Sequence, residues 1–134
     1  MPSGGVFPTT PGHEIVGRIE EISPEALAAL GVQEGDRVGV RSCIVTAEGS
    51  TRVYGFDFPL DEESGLFGGY ADYMELVPGT EVQRLCDDLP ATELTVYECL
   101  ANSATLVRAA HPGESLLVHG PGHMGLAAIV ARAA

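Results

Sequence analysis

SLLVHGPGHMGLAAIVARAA, residues 115–134, decides how the rest of the chain is read. An apolar run, Leu116 to Val118, enters a glycine-rich turn, and a new apolar segment follows with alanine and leucine at helical spacing. That order predicts a short buried strand, a tight turn and the first turns of a helix. Gly120, Gly122 and Gly125 form G-x-G-x-x-G at the junction. The first glycine suits the sharp turn, the second lets backbone approach a pyrophosphate, and the third lets helix pack on strand. A phosphate would sit on the helix N-terminus, where free N–H groups and the macrodipole favour an anion. The alternative is a glycine turn that only packs.

Upstream the pattern is different. HEIVGRIEEI, residues 13–22, carries Ile15, Val16, Ile19 and Ile22 with Gly17 at a bend, a strand pattern. Ser23 then offers an N-cap, Pro24 the first helical position and Gly31 a left-handed stop, which predicts a helix of about two turns. Val38 and Val40 alternate with polar neighbours after the Glu34-Gly35-Asp36 turn and predict another strand. Residues 46–69, rich in Gly, Ser and acidic side chains, read as a long excursion with little regular structure. Strands are expected over 70–77 and 82–85, separated by Pro78-Gly79. From Thr92 to Ala110 the period becomes helical, and Pro112-Gly113 stops it. The expected organisation is a mostly β part over residues 1–88, then a linking helix and one strand–turn–helix unit over 89–134.

The totals narrow the partners. A formal charge of −12, with acidic residues scattered along the chain, gives no basic footprint for nucleic acid or an anionic membrane. A small molecule or a protein is the better match. Cys43, Cys86 and Cys99 are too few and too dispersed for a disulfide framework, and MPSGGVF has neither the basic nor the apolar part of a secretory signal. A reduced, cytoplasmic protein is expected.

His13 stands beside Glu14 at the mouth of the first strand. By spacing alone a loop histidine is the better reading of His13 than a metal ligand, and Glu14 reads as a capping or pairing residue. His111, His119 and His123 read as loop histidines.

Four separated stretches taken in order, PGHEIVGRIEEI, GVQEGDRVGV, GGYADYMEL and VHGPGHMG, resemble the zinc-dependent medium-chain dehydrogenase/reductase family, the alcohol, sorbitol and threonine dehydrogenase group. The resemblance runs from about Phe7 to the C-terminus. It implies a mixed β and α/β fold: a GroES-like β-barrel, a linking helix, and the first βα unit of a Rossmann fold. It implies NAD- or NADP-dependent oxidation of an alcohol or polyol, or the reverse reduction of a carbonyl. In the family the histidine of GHE is a catalytic zinc ligand, which matches His13, and its glutamate lies close to the metal, which matches Glu14. ECLANSA resembles the start of the linking helix and puts Glu98 at a further zinc-ligand position, with Cys99 one residue on as a substitute. Gly120, Gly122 and Gly125 match the pyrophosphate turn.

The departures bear on function. The family's first ligand, a cysteine well before GHE, has no counterpart here, and its four-cysteine structural zinc is not expected, because Cys43 stands alone in that region. GDRV and GGYADY read as turn and bent strand, not as chemistry. The family forms dimers or tetramers through its Rossmann sheet, so a homo-oligomer is among the expectations. The rival reading is a catalytically inactive GroES-like barrel, a remnant or binding module. A zinc-free reductase of the same superfamily is a third.

Overall fold

A computed structural model describes residues 5–111 and 113–133. Readings that involve residues 1–4 or Pro112 therefore lie outside the described residues. The chain folds as two compact units, Met1–Thr95 and Val96–Ala134.

In the first unit, Ile15–Arg18 (β1) pairs antiparallel with Arg37–Val40 (β2), which pairs antiparallel with Val82–Arg84 (β5). Cys43–Val45 (β3) and Thr51–Val53 (β4) form a separate hairpin. Between β1 and β2 lies Pro24–Leu30 (α1), and Ala91–Leu94 (α2) ends the unit. The caps of α1 follow from its sequence. Ser23 Oγ accepts from the Ala26 N–H at 3.2 Å, Pro24 occupies the first turn, and Gly31 stands at φ +66° with its N–H donating to Leu27 O at 2.9 Å.

The β1–β2 register sets Ile15 opposite Val40 and Gly17 opposite Val38. Ile15 and Val40 join Ile44, Tyr54, Phe58 and Phe67 in one buried cluster, while Ile19, Val32 and Val38 form a second. Both open sheets thus contribute to the core, and among the described residues no ring of strand pairings closes into the expected barrel.

Two expectations need correction, at 70–77 and at 92–110. Residues 46–69 have little regular structure beyond the three-residue β4, as expected, yet Tyr54, Phe58 and Phe67 are almost wholly buried there. Gly49 at φ +80° turns the β3–β4 hairpin, and Asp57, Asp61, Glu62 and Glu63 follow in the loop beyond β4. Residues 70–77 form no strand. Separate bonds hold the segment, from Tyr70 N–H to Pro11 O at 2.9 Å, from Glu75 N–H to Leu66 O at 2.8 Å and from Val77 N–H to the Tyr54 hydroxyl at 2.8 Å, and Met74, Leu76 and Val77 pack without a ladder. The helix expected over 92–110 is interrupted at Thr95 and Val96, a β-branched pair whose ψ values drift to −20° and −4°.

In the second unit Tyr97–Val107 (α3) packs against His123–Ala133 (α4). Cys99, Ser103 and Val107 on α3 and Ala127 on α4 are buried. Ser103 Oγ donates to Met124 O at 3.1 Å, tying α3 to the first turn of α4. Leu116 to Val118 is not a strand, and Leu117 is 89% exposed. A strand needs a neighbour to take its hydrogen bonds, and the second unit has none among the described residues. No helix of the described residues is long and apolar enough to cross a membrane.

Candidate functional site

The loop before β1 is held by backbone contacts that leave no room for a side chain. Gly69 N–H donates to Gly12 O and Tyr70 N–H to Pro11 O, both at 2.9 Å. A Cβ on Gly68 would run into the Thr10 carbonyl, and one on Gly55, at φ +80°, into the backbone of Gly12. Thr9 Oγ1 adds a bond to Phe58 O at 2.7 Å and Thr10 Oγ1 one to Gly65 O at 2.9 Å. The glycines of GGY are therefore the clamp of the segment that presents the next two residues.

Those residues are His13 and Glu14. His13 is half-buried, with its ring 5.0 Å from the Phe56 ring and tilted by 54°. Glu14 is exposed. Phe56 itself is 45% exposed, so the imidazole has an aromatic flank on the surface.

Glu98 stands in the first turn of α3 and is half-buried. Its Oε1 accepts from Asn102 Nδ2 at 2.6 Å, one helical turn on. Burial, reinforced by the adjacent Glu98 charge, pushes the Tyr97 phenol up to about 12. Cys99 is buried, and its Sγ lies within 4.8 Å of a ring nitrogen of His123.

Gly120 adopts φ +105°, a conformation open to glycine at little cost, and turns the chain into α4. A Cβ on Gly125 would meet the Gly120 carbonyl, so this third glycine permits the close approach of helix and turn. Gly122 is different: a Cβ there meets nothing within 4 Å. Its carbonyl accepts from Leu126 N–H at 2.9 Å, the first helical bond of α4.

His13 and Glu14 thus stand together in the first unit, and Glu98 and the three glycines stand in the second. His123 is a correction. It opens α4, and its ring neighbours Cys99. Its position directly after G-x-G, at a helix start, was the available sequence signal. The pairing itself depends on α3 packing against α4, which spacing along the chain does not reveal.

Residues 2–87 match the alcohol dehydrogenase GroES-like domain family. A probable alcohol dehydrogenase of Mycobacterium tuberculosis is 37% identical over 145 residues, covering 95% of this chain and 39% of that protein. The L-threonine 3-dehydrogenase of Pyrococcus furiosus is 30% identical over 135 residues, covering 91% of this chain and 35% of its own. The chain therefore spans well under half the length of these relatives. In fold it is similar to the crystal structure of an alcohol dehydrogenase from Thermotoga maritima, with a TM-score of 0.77 at 21% identity, over 96% of this chain and 41% of that one. The chain belongs to the alcohol dehydrogenase GroES-like domain family.

Proposed function

We propose that the chain is part of a zinc- and NAD(P)-dependent oxidoreductase that interconverts an alcohol or polyol with its carbonyl, in the cytoplasm. Residues 1–88 are the catalytic-domain part, and residues 89–134 are the linking helix and the start of the nucleotide-binding part. The observation that carries this reading is the backbone clamp on the His13 loop by Gly68, Gly69 and Tyr70, in a chain of this family.

His13 and Glu98 would hold the zinc, with Glu14 beside His13 supplying negative charge close to the metal. An imidazole nitrogen and a carboxylate oxygen are both donors that zinc accepts, and both side chains keep some exposure. When bound, zinc supplies Lewis-acid polarisation of the substrate oxygen, and the nicotinamide takes or gives the hydride. The protein's own work is positional. The clamp orients the imidazole, and Phe56 restricts it on one flank. Gly120 turns the chain and Gly122 leaves backbone bare, so a pyrophosphate would be held here by the free N–H groups at the start of α4.

The test is zinc content together with nicotinamide reduction over a panel of alcohols and polyols, for the parent chain and for His13→Ala and Glu98→Ala. About one zinc per chain, lost in both variants along with turnover, is the expected result. Bound zinc indifferent to both substitutions would overturn the ligand assignment. A second reading, a GroES-like module without catalysis, is favoured by the absence of strand pairing at Leu116 to Val118. It predicts a folded chain with no turnover on any alcohol.

A further inference from the structure

We propose that Arg52 is a positioning residue for His13, acting through the turn that sets the Phe56 ring against the imidazole. Its functional consequence rests on His13 being a zinc ligand, and its geometry lies wholly within the first unit.

Residues 53–57 close on themselves. The N–H groups of Phe56 and Asp57 both donate to Val53 O, at 3.1 and 3.0 Å, and Asp57 Oδ2 accepts the Val53 N–H at 2.9 Å. Gly55 N–H donates to Phe67 O at 2.8 Å, and Gly55 lies so close to the Gly12 backbone that a Cβ would not fit. Gly12 precedes His13 and Gly55 precedes Phe56, so this contact brings the two rings together, with centroids 5.0 Å apart.

Arg52 grips the turn from β4. Its Nη2 donates to Asp57 O at 2.8 Å and to Glu62 Oε2 at 2.6 Å, while Nη1 donates to Glu62 Oε1 at 2.7 Å. The guanidinium also lies over the Phe58 ring, which stacks on Tyr54 and Phe67 in the core. One planar cation thus joins the last carbonyl of the turn, the acidic loop and the aromatic core. A rigid fork of donors can do this, and the point charge of a lysine cannot. An ion pair that only closed the loop would need Glu62 alone. The bond to the Asp57 carbonyl, next to Phe56, is what ties Arg52 to the ring beside His13. The pair is also less open to water than Arg41–Glu81, with side chains 29% and 32% exposed against 58% and 69%, so it holds its geometry better against solvent.

The experiment is proton–carbon NMR of the histidine rings in the full 134-residue chain, with the His13 signals assigned from His13→Ala. Phe56→Leu removes the aromatic neighbour, and the resulting displacement of the His13 ring protons marks the contact. Arg52→Lys, which keeps the charge and loses the fork, should displace them in the same direction. Glu62→Gln loosens the guanidinium, leaves its bond to Asp57 O, and should give a smaller displacement of the same sign. Ser23→Ala removes the N-cap of α1, destabilises the same unit elsewhere, and should leave the His13 signals in place. Signals unmoved in both Arg52→Lys and Glu62→Gln, or moved as much by Ser23→Ala, would overturn the positioning role and leave an ion pair that serves stability alone. Displaced signals in a chain without turnover on any alcohol would support the positioning role and sink the dehydrogenase reading. Turnover in the parent chain with His13 signals indifferent to Arg52→Lys and Glu62→Gln would sink the positioning role alone.

Discussion

The Tyr54 hydroxyl donates to Thr80 Oγ1 at 2.6 Å while accepting the Val77 N–H at 2.8 Å, and Thr80 passes its own proton to Val77 O at 2.7 Å. Tyr54 has no exposed surface, and Thr80 is 5% exposed. This closed network joins the end of β4 to the turn before β5. Tyr54→Phe would leave the Val77 N–H without its acceptor, at a cost of about 1–3 kcal/mol by denaturant unfolding at neutral pH. The same burial raises the Tyr54 phenol above its ordinary value of 10.0, with the Thr80 and Val77 bonds opposing it. A raised folded value means that stability is fully present below pH 10 and is lost as pH climbs through the folded value. Tyr54→Phe should therefore be less stable at neutral pH, and its deficit should shrink above pH 10.

Arg52 gives the opposite pH dependence. Its guanidinium reaches both oxygens of Glu62, at 2.7 and 2.6 Å, and lies 3.7 Å from the Phe58 ring centroid. The hydrogen bonds from Arg52 hold the Glu62 carboxyl below its ordinary 4.5. A depressed folded value contributes stability above the unfolded value and loses it as pH falls through the folded one. Glu62→Gln should cost about 1 kcal/mol at pH 7, and urea midpoints of parent and variant should converge below about pH 4.

Two glycines of the first unit should respond in opposite directions. Gly68→Ala drives a Cβ into the carbonyl of Thr10, a backbone atom that cannot rotate away. About 3 kcal/mol or more should be lost, and with it the placement of the His13 loop. Gly17→Ala, in β1, meets nothing within 4 Å and needs no left-handed backbone. That variant should gain about 0.5 kcal/mol by restricting the unfolded chain. Thermal melts of the two proteins side by side check both signs.

What the sequence revealed was what is local. The α1 caps at Ser23, Pro24 and Gly31 are fixed by residues within one turn of each other, and the β1 and β2 alternation is decided by which side chains face the core. The failures share a cause. The β3–β4 hairpin, the burial of Tyr54, Phe58 and Phe67, and the loss of strands at 70–77 and 116–118 all depend on whether a partner segment is present. Composition marked 46–69 as polar, and three aromatics spaced through it form the centre of the core. In the candidate site, the glycine turn was readable because Gly120 and Gly125 each answer a local steric demand. His123 beside Cys99 was not, because two helices had to pack first.

Gly122 and Gly125 separate folding from ligand binding at the same turn. Gly125→Ala places a methyl against the Gly120 carbonyl, so α4 must shift from the turn, and the second unit should lose about 2 kcal/mol or more. Gly122→Ala faces open space, with no left-handed backbone to strain, and α4 should form as before. If that open space is where a pyrophosphate lies, the methyl stands between backbone and ligand, and reduced nicotinamide cofactor should bind at least tenfold more weakly. The measurements are a far-ultraviolet melt and a fluorescence titration with the cofactor on each variant. An unchanged melt with weakened binding for Gly122→Ala identifies a glycine kept for a ligand. Unchanged binding would mean that the turn serves packing alone, through Gly120 and Gly125.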